Sequence, residues 1–349
     1  MANLPVRDEK NIATIINSLQ GTTLEDTQRG QIYTIKAIDG KNQGCVATSK
    51  ITAGTRILAE APLFTIPPTP ISQNLESVIV KRLKALDTDQ KRAFLSLYNA
   101  HRDKSSPFHG IVKTNMLPLG AGSPEGGIFL EASRINHACN PNAQNTWNKN
   151  LDQITIHSIK DIEEGEEITI SYLADSTNSQ GRQKELKDSF GFDCACRVCS
   201  LPSDLRHESD RRNEEIARLD GIIGGGVTIV SAPLSCLNSA HKVLDLLKEE
   251  DITDARVARL WYDAFQIAIA NGDEARAKVF AERAYAERVL VEGKDSPDTA
   301  LMKHYAEMPA SHRLYGTTMK WRQPAKKIPK GLSEEEFESW LWKTRNKKA

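Results

Sequence analysis

Arg134-Ile135-Asn136-His137-Ala138-Cys139-Asn140-Pro141-Asn142 is the stretch whose reading decides this sequence. An Asn-His pair on a buried turn can bind a polar ligand. Downstream, Gly165-Glu166-Glu167-Ile168-Thr169-Ile170-Ser171-Tyr172 reads as a strand that ends in a phenol. Behind it comes Cys194-Ala195-Cys196-Arg197-Val198-Cys199. Zinc prefers four tetrahedral N or S ligands, and a Cys-x-Cys-x-x-Cys run can wrap three thiolates around one ion. Cys139 is available as the fourth. The three stretches fit one site.

The chain has 349 residues, enough for two domains and a large core. Its 46 basic and 46 acidic residues cancel, which argues against a general nucleic-acid-binding protein. No apolar run approaches the roughly 18 residues needed to span a bilayer. Met1 to Gln20 has mixed charge and does not read as a secretory signal. The cysteines are Cys45, Cys139, Cys194, Cys196, Cys199 and Cys236, and three of them cluster at metal spacing rather than forming a disulfide framework. A reducing compartment, cytosol or nucleus, follows. Cys45 and Cys236 stand alone and read as core residues.

Gln31 to Ile38, Cys45 to Thr48 and Arg56 to Ala59 read as short strands, separated by turns at Asp39–Gly44 and Ile51–Thr55. Pro62 to Pro70 marks a break. Val78, Leu83, Leu86, Phe94 and Leu97 recur at roughly helical intervals, so residues 74–103 predict two helices. Residues 104–127, with Pro107, Pro118, Pro124 and several glycines, predict an extended surface segment. Strand character returns at Gly127–Leu130, Gln153–His157 and Ile168–Tyr172. Leu201 to Arg218 predicts a partly helical segment, and Gly224-Gly225-Gly226 a break. After it the apolar period is helical. Leu237, Ala240, Leu244 and Leu247 form one face; Leu260, Ala264 and Ile267 form another, with Trp261, Phe265 and Ala268 beside it. Asn271-Gly272-Asp273 ends that helix and caps the next, Glu274 to Glu292, and Asp295-Ser296-Pro297 starts a third. Ser333 and Glu336 have capping-box spacing before Phe337, Trp340, Leu341 and Trp342. The basic tail from Lys343 to Ala349 is expected to fray.

Taken in order, these motifs resemble a SET domain, the fold of many protein-lysine methyltransferases, over about residues 30–200. Within that family the chain is most similar to the SET-and-MYND branch in its short fungal form. Residues 61–130 carry no cysteine, so the cysteine-rich zinc module of that branch is absent there. The resemblance implies an α+β fold: small sheets with a pseudoknot, a helical insert and a zinc-bearing flap, then an all-α tetratricopeptide-like C-terminal region. No clean repeat of about 34 residues is present. The expected organisation is an N-terminal extension (1–30), a SET domain (31–173, helical insert about 61–127), a post-SET zinc segment (174–200) and a helical C-terminal domain (201–349).

The resemblance also assigns roles. Zn²⁺ is expected on Cys139, Cys194, Cys196 and Cys199, pinning the flap across the core. Asn136 and His137 are expected to contact S-adenosylmethionine, as is the loop Lys41-Asn42-Gln43-Gly44. Asn42 stands where the family usually has the first glycine of Gly-x-Gly. Phe192 is expected to cover the adenine and Phe190 to line the lysine channel, at a position that is often tyrosine in relatives. Arg134 has no assigned role, and Asn115 only loosely resembles an asparagine that precedes the motif in relatives. Tyr172 matches the essential catalytic tyrosine and is also expected to border S-adenosylmethionine. Lysine has a pKa of about 10.4 and arrives charged, so a dry channel beside a sulfonium would have to lower it. The expected activity is methyl transfer from S-adenosylmethionine to a lysine of a protein, histone or non-histone. A small-molecule or non-lysine acceptor is one alternative; a non-catalytic scaffold is another. A protein partner on the C-terminal helices is expected; a membrane is not, and no strong nucleic-acid signal exists.

Overall fold

The computed structural model describes residues 32–68, 75–103, 105–173 and 178–344. The expected extension over residues 1–30 lies outside them, as do the first residue of the Gln31 strand and most of the tail. Strands β1 (Tyr33–Ile38) and β2 (Asn42–Ala47) form an antiparallel hairpin. Its turn needs left-handed backbone, and Gly40 (φ 70°) and Asn42 (φ 61°) supply it. Asparagine is one of the few side chains that adopts this region at modest cost. Asn42 therefore takes up a conformation that otherwise favours glycine.

Strands β3 (Arg56–Glu60) and β4 (Phe64–Ile66) lead into the insert. There α1 (Leu75–Lys84) and α2 (Thr88–Leu95) answer to the two expected helices. Asp87 caps α2, with Gln90 completing a capping box. The expected extended segment at 104–127 is corrected in part: α3 spans Pro107–Asn115. Ser106 caps it, and Pro107 sits at the first helical position, where its missing N–H costs nothing. A proline that reads as a breaker here starts a helix. Phe108, Ile111 and Val112 bury one face of α3 against Phe64, Ile79, Leu83 and Phe94. Strands β5 (Leu117–Pro118) and β6 (Gly126–Ile128) follow, and β6 pairs with both β4 and β5.

Then come β7 (Asn136–His137), β8 (Ala143–Asn148), β9 (Gln153–Ser158) and β10 (Glu167–Ile170). The sheets have the orders β1-β2-β10-β7, β3-β9-β8 and β4-β6-β5. Their shared core holds Cys45, Phe129, Ile135, Ile154, Ile156, Ile168 and Ile170. β10 stops at Ile170, so Tyr172 lies two residues beyond the strand it was expected to end. In the post-SET segment a helix without a sequence expectation, α4, spans Ser179–Phe190. Asn178 caps its start, and Gly191 at φ 79° ends it.

The C-terminal region is helical. α5 (Ser203–Gly224) ends at the expected glycine break, and α6 (Val227–Ser231) follows. α7 (Pro233–Glu249), α8 (Ala255–Ala270), α9 (Glu274–Glu292) and α10 (Pro297–Glu307) pack in sequence. Asp273 caps α9, and Ser333 and Glu336 form the capping box of α11 (Glu334–Leu341). The apolar faces read from the sequence are the core: Leu237, Ala240, Leu244, Leu247, Leu260, Trp261, Ala264, Phe265, Ile267 and Ala268 are buried, and Trp342 closes it. Cys236 belongs to this core and Cys45 to that of the sheets, as their isolation implied. Arg56 on β3 ties the two regions together, donating to His157 Nε2 at 3.2 Å and to Asp295 Oδ2 at 3.0 Å.

Candidate active site

The Asn136–Asn142 turn is fixed by polar ties that span the chain. β7 runs parallel to β10, with Thr169 opposite Asn136 and Ile170 opposite His137. A parallel pair needs a crossover, and the β8–β9 hairpin lies within it. Asn142 then laces the turn to β10. Its Oδ1 accepts from the Thr169 N–H at 2.8 Å, and its Nδ2 donates to the Glu167 carbonyl at 2.9 Å and to Glu166 Oε1 at 3.0 Å. The approach to the turn is anchored by Glu60 at the end of β3. Its carboxylate accepts from the N–H groups of Leu130 (2.6 Å), Glu131 (3.1 Å) and Ala132 (2.9 Å). Burial pushes the Glu60 carboxyl up, while these three donors favour its charged form.

His137 has both ring nitrogens engaged. Nδ1 accepts from the Tyr172 N–H at 3.0 Å, and Nε2 lies 3.4 Å from Cys139 Sγ. Burial pulls its pKa down to about 4, so the ring is neutral near pH 7. With Nδ1 accepting, the proton sits on Nε2 and faces the sulfur. What His137 offers a ligand is therefore its ring face and backbone rather than a free nitrogen.

Tyr172 is held at both ends. Its N–H goes to His137, and its hydroxyl donates to the Ile135 carbonyl at 2.7 Å. Burial pushes the phenol well above its usual range, so it stays protonated at neutral pH. Three rings surround it: Phe190 at 4.8 Å between centroids, His137 at 5.3 Å and Phe192 at 6.5 Å. Phe192 also lies 6.2 Å from His137. Phe190 is the last residue of α4, and the left-handed Gly191 turns the chain so that Phe192 returns to the same cluster.

The β1–β2 hairpin closes the other side. Asn136 Nδ2 donates to Glu167 Oε1 at 2.9 Å and to the Gln43 carbonyl at 3.2 Å. Lys41 Nζ reaches Glu167 Oε2 at 2.6 Å. Gly44 permits this approach: a Cβ there would stand 2.6 Å from Asn136 Nδ2 and 2.3 Å from Ile38 Cδ1. The glycine is required by crowding, while the positive φ belongs to Asn42.

The four cysteines expected to share an ion converge. The sulfurs of Cys139, Cys194, Cys196 and Cys199 all lie within 4.8 Å of one another, and Cys139 and Cys199 are 3.5 Å apart. In a tetrahedron with Zn–S bonds of about 2.3 Å the sulfurs are roughly 3.8 Å apart, so the donor set and its spacing fit one zinc. Hydrogen bonds from the neighbouring thiols, Cys139 first, hold Cys196 well below its usual range; the same bonding pushes Cys139 up.

Every sequence-predicted site residue thus falls in one neighbourhood: the Lys41–Gly44 hairpin, Asn136, His137, Tyr172, Phe190, Phe192 and the four cysteines. Arg134 donates to Ser96 Oγ at 2.6 Å and Ser133 Oγ to the Asn115 carbonyl at 3.1 Å, so both brace the insert against the motif, while Asn115 Nδ2 donates to the Tyr98 carbonyl at 2.6 Å within the insert. Sequence reasoning missed Glu60, whose partners stand about 70 positions away and leave no local pattern. It also missed that Glu167 bridges Lys41 and Asn136, although the Gly-Glu-Glu turn that carries it was in view.

Known proteins resemble this chain over the same region. The family model of the SET domain matches residues 42–173. The "Histone-lysine N-methyltransferase set5" of Schizosaccharomyces pombe is 36% identical over 285 residues, covering 81% of this chain and 86% of that protein. Shorter stretches match the human "Histone-lysine N-methyltransferase SMYD3" (37% over 73 residues, 21% of this chain and 17% of that one) and the Gallus gallus "N-lysine methyltransferase SMYD2" (32% over 93 residues, 27% and 20%).

Proposed function

The chain belongs to the SET-domain protein-lysine methyltransferases, and from that premise we propose that the Tyr172 site moves a methyl group from S-adenosylmethionine to a lysine side chain of a protein, histone or non-histone. The observation that carries the reading is the doubly anchored phenol of Tyr172 inside an aromatic wall, next to the laced Asn136–His137 turn. The Lys41–Gly44 backbone, Asn136, the face of His137 and Phe192 hold the cofactor. Phe190 lines the lysine channel. Cys139, Cys194, Cys196 and Cys199 hold Zn²⁺, which fixes the segment bearing Phe192.

When bound, S-adenosylmethionine supplies an electrophilic methyl group on a sulfonium. The protein's task is to present a neutral amine in line with it. Tyr172 spends its one hydroxyl proton on the Ile135 carbonyl, so its oxygen is left to act as an acceptor. An incoming amine N–H can donate to that oxygen, which turns the nitrogen lone pair away from Tyr172. The phenol stays protonated, so Tyr172 orients the amine rather than deprotonating it. The Phe190 and Phe192 rings exclude water and disfavour the ammonium form of the lysine. Alignment in a narrow, dry site is the largest expected contribution to rate.

The C-terminal helices serve as a surface for a protein partner, and the cysteine cluster at metal spacing supports a reducing home, cytosol or nucleus. Among the described residues no helix is long and apolar enough to cross a membrane. The decisive experiment incubates the enzyme with methyl-labelled cofactor and a protein extract and locates the labelled atom by mass spectrometry. Label on a lysine Nε supports the proposal. Label only on small molecules would contradict the acceptor.

A further inference from the structure

The end of α7 departs from local preference. Asp251 N–H bonds to the Lys248 carbonyl at 3.0 Å, and Ile252 N–H to the Leu247 carbonyl at 2.9 Å. This is a Schellman termination, whose left-handed position is usually glycine. Here Asp251 holds it at φ 55°. Aspartate tolerates that region better than most side chains, but glycine would take it more readily.

The side-chain contacts of Asp251 point to the site. Lys160, ahead of the Gly165 turn, donates through Nζ to Asp251 Oδ2 and to the Asp251 carbonyl, each at 2.7 Å, and to Asn140 Oδ1 at 3.1 Å. Asn140, between Cys139 and Asn142, donates through Nδ2 to the carbonyls of Glu250 (2.9 Å) and Asp251 (3.1 Å). Arg197, between Cys196 and Cys199, reaches Asp251 Oδ2 at 3.4 Å. The Glu250 carboxylate binds Arg212 on α5. One corner of the helical region therefore touches the ligand-binding turn, the approach to β10 and the cysteine flap. The carbonyl-rich, negative end of α7 faces Lys160, which favours the contact.

We propose that the Glu250–Asp251 corner is a positioning element, through which the helical region holds the Asn136–Asn142 turn and the cysteine flap in the geometry that binds cofactor. It rests on the cofactor reading above. Asp251 keeps a backbone conformation that glycine would take more readily because its carboxylate clamps Lys160 and Arg197. The helical region is then part of the cofactor site's support.

Asp251→Gly separates this role from plain stability, since it relieves the backbone while removing the carboxylate. Three measurements decide: Tm, calorimetric Kd for S-adenosylmethionine, and the rate of zinc loss to a chromogenic chelator. The proposal expects an unchanged or higher Tm, a Kd raised about threefold to tenfold and faster zinc loss. Lys160→Met should raise Kd similarly. The double variant should be no worse than the more affected single one, because both remove the same clamp. A wild-type Kd in Asp251→Gly would overturn the proposal. A lower Tm with a parallel loss of affinity would overturn it too, since Asp251 would then serve stability alone. If the wild-type protein binds no cofactor, the cofactor reading fails, and this inference fails with it.

Discussion

The two halves of this molecule are held together differently. In the helical region, Leu244, Phe265, Phe280 and Trp342 belong to one buried apolar core. In the region around Tyr172, the turn that matters is placed by individual polar ties: Asn142 to β10, Glu60 to three N–H groups, Asn136 to the β1–β2 hairpin. An apolar core spreads its stabilisation over many contacts, so one lost side chain costs stability but leaves remote geometry alone. A polar tie carries direction, and its loss moves a particular segment. Function should therefore be fragile in the first half and stability in the second.

The sharpest test of that contrast is Cys196→Ala. Structural zinc contributes on the order of 10 kcal/mol in small sites, so losing one thiolate should release the flap that carries Phe192. We expect elemental analysis to fall from about one zinc per chain toward none. Cofactor affinity should drop at least about 100-fold, roughly 2.7 kcal/mol. Full zinc retention in this variant would break the four-thiolate assignment.

Phe280→Ala probes the other half. Removing a fully buried ring should cost about 3–5 kcal/mol of unfolding free energy. Below its lowered melting point the protein should still bind cofactor within about twofold of wild type, because the ring packs on Trp261 and Trp342 within the helical core. A large loss of affinity without unfolding would erase the contrast.

Asn142→Ala should cost less stability and more function. It leaves the buried Thr169 N–H without its partner, worth about 1–3 kcal/mol, and frees the turn from β10. Denaturant unfolding and calorimetry on the same sample give both numbers; unchanged cofactor affinity would count against the lacing argument.

These expectations were unevenly legible in the sequence. The helical faces and the Asp273 and Ser333 caps follow local periods and local chemistry, so a single chain displays them. The cysteine cluster was legible because metal chemistry restricts residue type and spacing. Tyr172, Asn136 and His137 were legible through family resemblance, not through any period. Helix α3 was missed because Pro107 signals a helix start as well as a break, and only Ser106 before it distinguishes the two. Glu60 and the Glu250–Asp251 corner were invisible because their partners lie far along the chain.

The smallest expected effect lies at the seam between the halves. His157 is buried beside Arg56, and its pKa falls to about 4 through burial, with the Arg56 charge adding to it. The unfolded chain, at an ordinary value of about 6.5, binds the proton more readily than the folded one. Stability is thus fully present above the unfolded pKa and falls as pH drops from about 6.5 toward 4, by about 2 kcal/mol at pH 5. In urea titrations at pH 7 and pH 5, His157→Gln should lose less stability than wild type. Equal losses in the two proteins would place the acid sensitivity elsewhere.

The central claim is that Tyr172 orients a lysine amine for methyl transfer. Tyr172→Phe keeps the ring and deletes one oxygen, so packing and cofactor binding should hold. Single-turnover transfer to a labelled protein substrate measures the chemistry directly. The account predicts near wild-type cofactor Kd with turnover reduced about 100-fold, or about 2.7 kcal/mol of transition-state stabilisation. Wild-type turnover in Tyr172→Phe would contradict it.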